Sequence, residues 1–331
     1  MSKQRRALRV AAGLALAMGL AACAGQPPQP DPDPTPTEAL PALSEERVDM
    51  ILADLQETLE EADAERDPEL LTARVAGPAL EMRRAEYELS EAANEDRVPT
   101  VVSTASQVQV IAATEEWPRS LFVVSEIPEG ENLPLLLVLT QEDPRSQYKL
   151  TSWTPLLPGA ATPPMAKADA GSEMLAADGG DLRLSPQDAV AQYGQLLAGG
   201  DDEEATFAED PFRERYVDAV SQLAETVEVA GELEQNFSVV DGSVAAMATA
   251  QDGALVVGVL RNELTLRRTV DGATLRAAGD IGILLGEDNR VEDAVVAEFL
   301  FPVAFEVPSA DGEEQVAVIG AQQVITGVTR D

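Results

Sequence analysis

ALVVGVLRNELTLRR at residues 254–268 and AVVAEFLFPVAFEV at residues 294–307 are the longest apolar-rich runs in the second half of the chain. Both are dense in Val and Leu, and the second also in Phe, residues that fit a pleated, buried surface. Turn signals bracket them: Gln251-Asp252-Gly253 and Asp271-Gly272 around the first, Gly286-Glu287-Asp288-Asn289 and Ala310-Asp311-Gly312 around the second. Asp-Gly and Gly-rich tetrads of this kind close hairpins. Phe237–Thr249, Ala273–Leu285 and Gln315–Val328 read as further strands, so the C-terminal third is predicted to be an antiparallel meander.

Helices precede these strands. Ser185-Pro186 is an N-cap followed by proline at the first helical position, and Ala189, Val190, Tyr193, Leu196 and Leu197 follow at helical spacing. After the acidic turn Asp201–Glu204, Asp210-Pro211-Phe212 starts a second helix carrying Tyr216, Val217, Val220 and Leu223, with Asp210 as cap and Phe212 docked on the sheet. The first half repeats the order. Ser44 caps a helix with Val48, Ile51, Leu52, Leu55 and Leu59 inward. Asp67-Pro68 opens a second helix, Gly77-Pro78 breaks it, and a third runs over residues 79–92. Strands are expected at Val108–Ala113, Leu121–Ile127, Leu135–Thr140 and Tyr148–Leu156. Residues 158–183, rich in Ala, Gly and Pro, read as a connection partly ordered by Met165 and Met174.

The expected fold class is α+β. Two tandem cone-like domains, residues 43–157 and 184–331, would each set a helical cap on a curved antiparallel sheet. This element order resembles the nuclear transport factor 2-like, or cystatin-like, cone. Trp117-Pro118-Arg119, Tyr148-Lys149-Leu150 with Trp153, Leu157-Pro158-Gly159 and Phe207–Arg213 are similar to segments of actinobacterial lipoproteins built around a domain of unknown function. The resemblance implies a fold and no activity.

The N-terminus carries an address. Lys3, Arg5, Arg6 and Arg9 form a basic region without an acid, and Val10–Ala22 runs thirteen residues without a charge. At 1.5 Å per residue that run reaches only ~20 Å, short of a ~30 Å bilayer core, so it suits a signal peptide rather than a span. It ends in Leu20-Ala21-Ala22-Cys23, and Cys23 is the only cysteine of the 331 residues. The stretch resembles a bacterial lipobox. The resemblance implies cleavage between Ala22 and Cys23, fatty-acyl (palmitate-type) lipid on the new N-terminal cysteine, and anchorage on the extracytoplasmic face of the cell membrane. An ordinary signal peptide with a chance cysteine, or a short membrane helix, is the alternative. Residues 1–22 are the signal and 23–42 the anchor and stalk, whose alternating prolines favour an extended polyproline form of ~3.1 Å per residue. A lone cysteine leaves no disulfide, so stability must come from burial.

The chain has 23 basic and 59 acidic residues, a net charge of −36. Loss of residues 1–22 removes four cations and no acid, which takes it to −40. Such a body repels nucleic-acid phosphate and anionic headgroups alike, so no nucleic-acid partner is expected. Arginine far outnumbers lysine, which occurs only at 3, 149 and 167, a bias of GC-rich genomes.

There is no histidine. That removes His-based triads, His general bases and His-ligated zinc, and lipidation of Cys23 would consume the one thiol. No phosphate-binding glycine motif is present. No catalytic, metal or cofactor-binding residue is therefore assigned. Asp201–Glu204 lacks the spaced ligands of a calcium loop and reads as a solvated turn. Asn236-Phe237-Ser238 matches the glycosylation pattern. Tyr87, Tyr148, Tyr193 and Tyr216 read as packed rings with hydroxyls at the rim, and Trp153 as core. Trp117-Pro118-Arg119 reads as a strand-entry turn with its indole against the cap. The expected role is a non-catalytic binding module of the cell envelope, tethered through Cys23, whose partner is an envelope protein or a small apolar ligand. The alternatives are an extracytoplasmic enzyme working through carboxylate and tyrosine, or a scaffold with an open sheet edge.

Overall fold

The computed structural model describes residues 39–330, which form one compact unit. The signal segment, Ala22, Cys23 and the stalk up to residue 38 lie outside the described residues. The stalk's last residues are described: Pro41 bridges Ala113, and the Ala42 amide donates to the Ala112 carbonyl at 2.8 Å.

Helix α1 (Glu45–Glu65) begins where Ser44 accepts from the Arg47 amide, and it buries the expected Val48–Leu59 face together with Ala62. The segment expected as a second helix shortens to one 3-10 turn, Leu70–Ala73, and Val75 beyond it bridges Leu150 instead. Helix α2 spans Gly77–Ala92. Strands β1 (Ser106–Ala113), β2 (Arg119–Ser125), β3 (Leu135–Gln141) and β4 (Lys149–Pro155) form an antiparallel meander with register Phe122↔Val138 and Val138↔Ser152.

The stretch expected as a connection supplies strand β5 (Ser172–Leu175). It runs parallel to β1 and antiparallel to β7 (Ala245–Ala248), where Met174 faces Met247. Helices α3 (Pro186–Leu197) and α4 (Pro211–Glu228) follow, capped by Ser185 and Asp210 as the sequence predicts. The long strands β8 (Ala254–Arg268) and β11 (Ala294–Val307) pair in register along their whole length, Ala254 against Val307 and Arg267 against Ala294. Strand β6 (Gly231–Val239) also pairs with β8, while β12 (Ala317–Ala321) and β13 (Val324–Arg330) both pair with β11.

Three expected strands are corrected, and one of them, Gln315–Val328, divides at Gln322-Gln323 into β12 and β13, which pair with different parts of β11. Residues 273–285 hold only the two-residue β9 (Leu275–Arg276), paired with β10 (Arg290–Val291), and then helix α5 (Gly279–Leu285). A glycine at positive φ opens that helix, and none of its residues is buried, so it lies on the surface where short apolar runs have no preferred period. Residues 237–249 divide into β6 and β7 around the turn Asp241-Gly242.

The strands of both halves thus belong to one eleven-stranded sheet, ordered β12-β11-β8-β7-β5-β1-β2-β3-β4 with β13 and β6 as branches. Its two ends approach each other: Leu156 bridges Gly320 and the Leu157 amide donates to Ile319 at 2.8 Å. The sheet is therefore curved almost to closure. Its enclosed core takes Val110, Phe122, Leu136 and Val138 from one half and Met247, Leu255, Val257 and Ile319 from the other. The α1–α2 pair covers the opposite face of β1–β4, burying Trp153 and Leu121. Helices α3 and α4 cover β8 and β11 around Tyr193, Phe301 and Phe305. At Gly258 a β-carbon would stand 2.6 Å from the Val190 side chain, so glycine lets α3 sit close on β8.

Candidate functional site

A hollow of 780 Å³ opens at one mouth of the curved sheet. Its floor is built by period two. In β2 the residues facing the enclosed core are Ser120, Phe122 and Val124, and in β3 they are Leu136, Val138 and Thr140. The apolar members fill the middle, while the strand ends offer hydroxyls. Ser120 lies opposite Thr140 and Ser152 lies opposite Val138. A bulge in β4 lets Thr151 join them, with its hydroxyl 3.2 Å from that of Thr140. Ser120 is only 3% exposed and Ser152 9%, yet neither hydroxyl is cut off from solvent, and both line the groove.

The walls come from β5 and the turn between β6 and β7, and the start of α2 closes one side. Trp117 stands at the rim. It was expected to pack its ring on the helical cap, but it does not. The guanidinium of Arg119 lies 3.9 Å from the ring centroid, and the indole remains 38% exposed. Arg119 is itself held, donating to the Glu115 and Glu116 carbonyls, each at 3.1 Å, and the indole N–H donates to Gln141 at 3.2 Å. The turn does enter β2, as the sequence predicts, and the large exposed aromatic is fixed in place. The carboxylates in the lining, Glu116, Glu142 and Asp241, are exposed at the rim, and the lining has no Lys or Arg.

The tyrosines lie elsewhere. Tyr87 donates to Asp63 at 2.5 Å beside α1, Tyr193 to Asp210 at 3.1 Å, and Tyr216 to Gln235 at 2.9 Å. Burial pushes each phenol up, which leaves it a poor acid or base. Tyr148, pushed up to about 12 by burial, has a hydroxyl without a partner. Burial holds the Glu86 carboxyl above its ordinary range, against the opposing pull of Arg83. It accepts from Arg83 at 2.9 Å and from the Thr100 hydroxyl at 2.6 Å, and it does not line the mouth groove. Asp202 in the acidic turn spends its carboxylate on the Thr206 and Phe207 amides, both at 2.9 Å. Among the described residues no group of three or more acidic, Cys or His side chains is placed to hold a metal. No described helix is long and apolar enough to cross a membrane.

Sequence reasoning passed over Ser120, Thr140 and Ser152. The signal was present as hydroxyls at one end of strands whose same-face neighbours are Phe122, Val124 and Val138. A family model described as "Domain of unknown function (DUF8094)" matches residues 39–330. Neither a curated protein nor a solved structure matches the chain.

Proposed function

As this chain belongs to the DUF8094 family over residues 39–330, a family without an assigned activity, we propose a role from its own residues: a lipid-anchored envelope protein that binds a ligand in the groove at the mouth of the sheet. One observation carries the binding role. The groove's 780 Å³ falls within the ~300–1,000 Å³ of small-ligand sites, and its floor presents the hydroxyls of Ser120, Thr140, Thr151 and Ser152 among apolar side chains. Glu86, whose carboxyl burial raises, lies outside it, which favours binding over catalysis. The basic leader, the thirteen-residue apolar run and Leu20-Ala21-Ala22-Cys23 support export from an actinobacterial-type cytoplasm and diacylglyceryl attachment at Cys23. Each half contributes a helical pair and its strands, in keeping with a duplicated cone-like unit whose sheets have joined.

The anchor is tested by growth with labelled palmitate. Wild-type protein is expected to take up label and partition into membranes, and Cys23→Ser to lose both. Label retained by Cys23→Ser contradicts the assignment. The groove is tested with the emission of Trp117, the more exposed of the two tryptophans. Fractionated envelope extract should shift that emission saturably, and Ala245→Phe, which fills the groove wall, should abolish the shift. An extract without effect, or one acting equally on Ala245→Phe, argues against ligand binding here.

A further inference from the structure

Resting on that reading of the groove, its chemistry also selects the class of ligand: we propose that it takes a neutral, hydroxyl-rich oligosaccharide, stacked on the Trp117 indole with sugar hydroxyls on Ser120 and Ser152. Three observations converge. First, the lining contains no Lys or Arg, and Arg119 beside it is committed to the indole face and two carbonyls. An anionic ligand would meet Glu116, Glu142 and Asp241 with nothing to pair it. Second, these carboxylates sit on the solvated rim, where a cation gains little. The polar groups on the floor are uncharged: Ser120 and Ser152 are buried as residues, with their hydroxyls accessible from the groove. A hydroxyl both donates and accepts, so these side chains match another hydroxyl better than an ammonium group, which donates only. A purely apolar ligand would leave both serines without partners at the full desolvation cost.

Third, an exposed indole is a flat, polarisable platform with a negative face. The C–H face of a pyranose presents a matching positive edge. One side of Trp117 is covered by Arg119, and the ring still lines the groove with 38% of its surface exposed. Apolar Val138, Met174 and Val244 beside the hydroxyls complete a surface alternating between polar and apolar, as a sugar does.

The test uses the full-length lipidated protein in detergent. It is titrated with cellotetraose, chitotetraose, mannotetraose and maltotetraose, and with tetralysine and a hexose phosphate as charged controls, following Trp117 emission and binding heat. Saturable binding of at least one neutral tetrasaccharide is expected below about 1 mM. Trp117→Ala should weaken it at least about tenfold, the loss of one stacked aromatic contact, and Ser120→Ala should weaken it less. Thermal unfolding of Trp117→Ala should match wild type, because the ring is rim-exposed. Saturation only by tetralysine or the hexose phosphate overturns the ligand class, as does sugar binding that Trp117→Ala leaves unchanged. If no tetrasaccharide binds while envelope extract still shifts Trp117, the ligand class falls and the groove stands. If neither acts, both fall.

Discussion

Phe301→Ala is expected to lower unfolding free energy by about 3–5 kcal/mol, the usual loss for a fully buried phenylalanine truncated to alanine. Phe301 has no exposed surface and sits mid-strand in β11. Its ring meets Tyr216 at 5.2 Å and 84°, Phe237 at 5.2 Å and 64°, and Phe212 at 6.2 Å and 80°. These are edge-to-face contacts, each adding roughly 0.5–1.5 kcal/mol beyond area. The rings come from α4, β6 and β11, so one side chain ties both outer elements to the long hairpin. Next to them, Asn262, also fully buried, donates to the Tyr216 hydroxyl at 2.9 Å, and a collapsed cavity would disturb that bond as well. Urea unfolding should show a lowered midpoint with an unchanged slope. Val229→Ala, on a residue 79% exposed, serves as the control and should stay within about 0.5 kcal/mol. A loss below about 1.5 kcal/mol for Phe301→Ala would mean that the aromatic cluster is not the organising contact of this half.

Phe301 was legible as core because β8 and β11 announce themselves: long, rich in Val and Leu, with Phe added in β11, and bracketed by turn residues. Both strands end where the composition says they should. Helix starts were equally legible at Ser44, Ser185 and Asp210, since a cap is a local hydrogen bond between neighbours in sequence. What escaped reading depends on partners far along the chain. Strand β5 is four residues in an Ala- and Gly-rich stretch, too short for a period, and it exists because β1 and β7 flank it. That one strand joins the two halves into a single sheet, and with it creates the mouth where the groove lies. Trp117 was noticed, but its exposure depends on Arg119 stacking rather than on the turn alone. Helix α5 was taken for a strand because Ile281–Leu285 is a short apolar run that either state accepts.

Glu86→Ala is expected to cost about 3–5 kcal/mol, because it leaves the Arg83 guanidinium buried without its nearest counter-charge. Arg83 is fully buried on α2 and lies 5.3 Å from the Trp153 ring centroid. Its Nη1 donates to Glu86 at 2.9 Å and to the Thr100 carbonyl at 2.8 Å, whereas Nε and Nη2 have no hydrogen-bond partner. Asp63 stands 3.5 Å from Nε but already accepts from Tyr87. Asp63 is also more exposed than Glu86, so it compensates the buried guanidinium less well. Arg83→Met combined with Glu86→Leu should be markedly less destabilised than Glu86→Ala, since neither charge is then stranded. The carboxyl also predicts a pH signature. Burial raises Glu86 above its ordinary 4.5 despite Arg83, so the folded protein holds this proton more tightly than the unfolded chain. The group's contribution to stability is then complete below pH 4.5 and is lost as pH rises through the raised folded value. Glu86→Gln cannot lose a proton, so wild-type stability minus that of Glu86→Gln should decrease from pH 4.5 towards neutrality. Taking the difference cancels the other carboxylates, which both proteins share. A difference that stays level or increases with pH would show that Arg83, and not burial, governs Glu86.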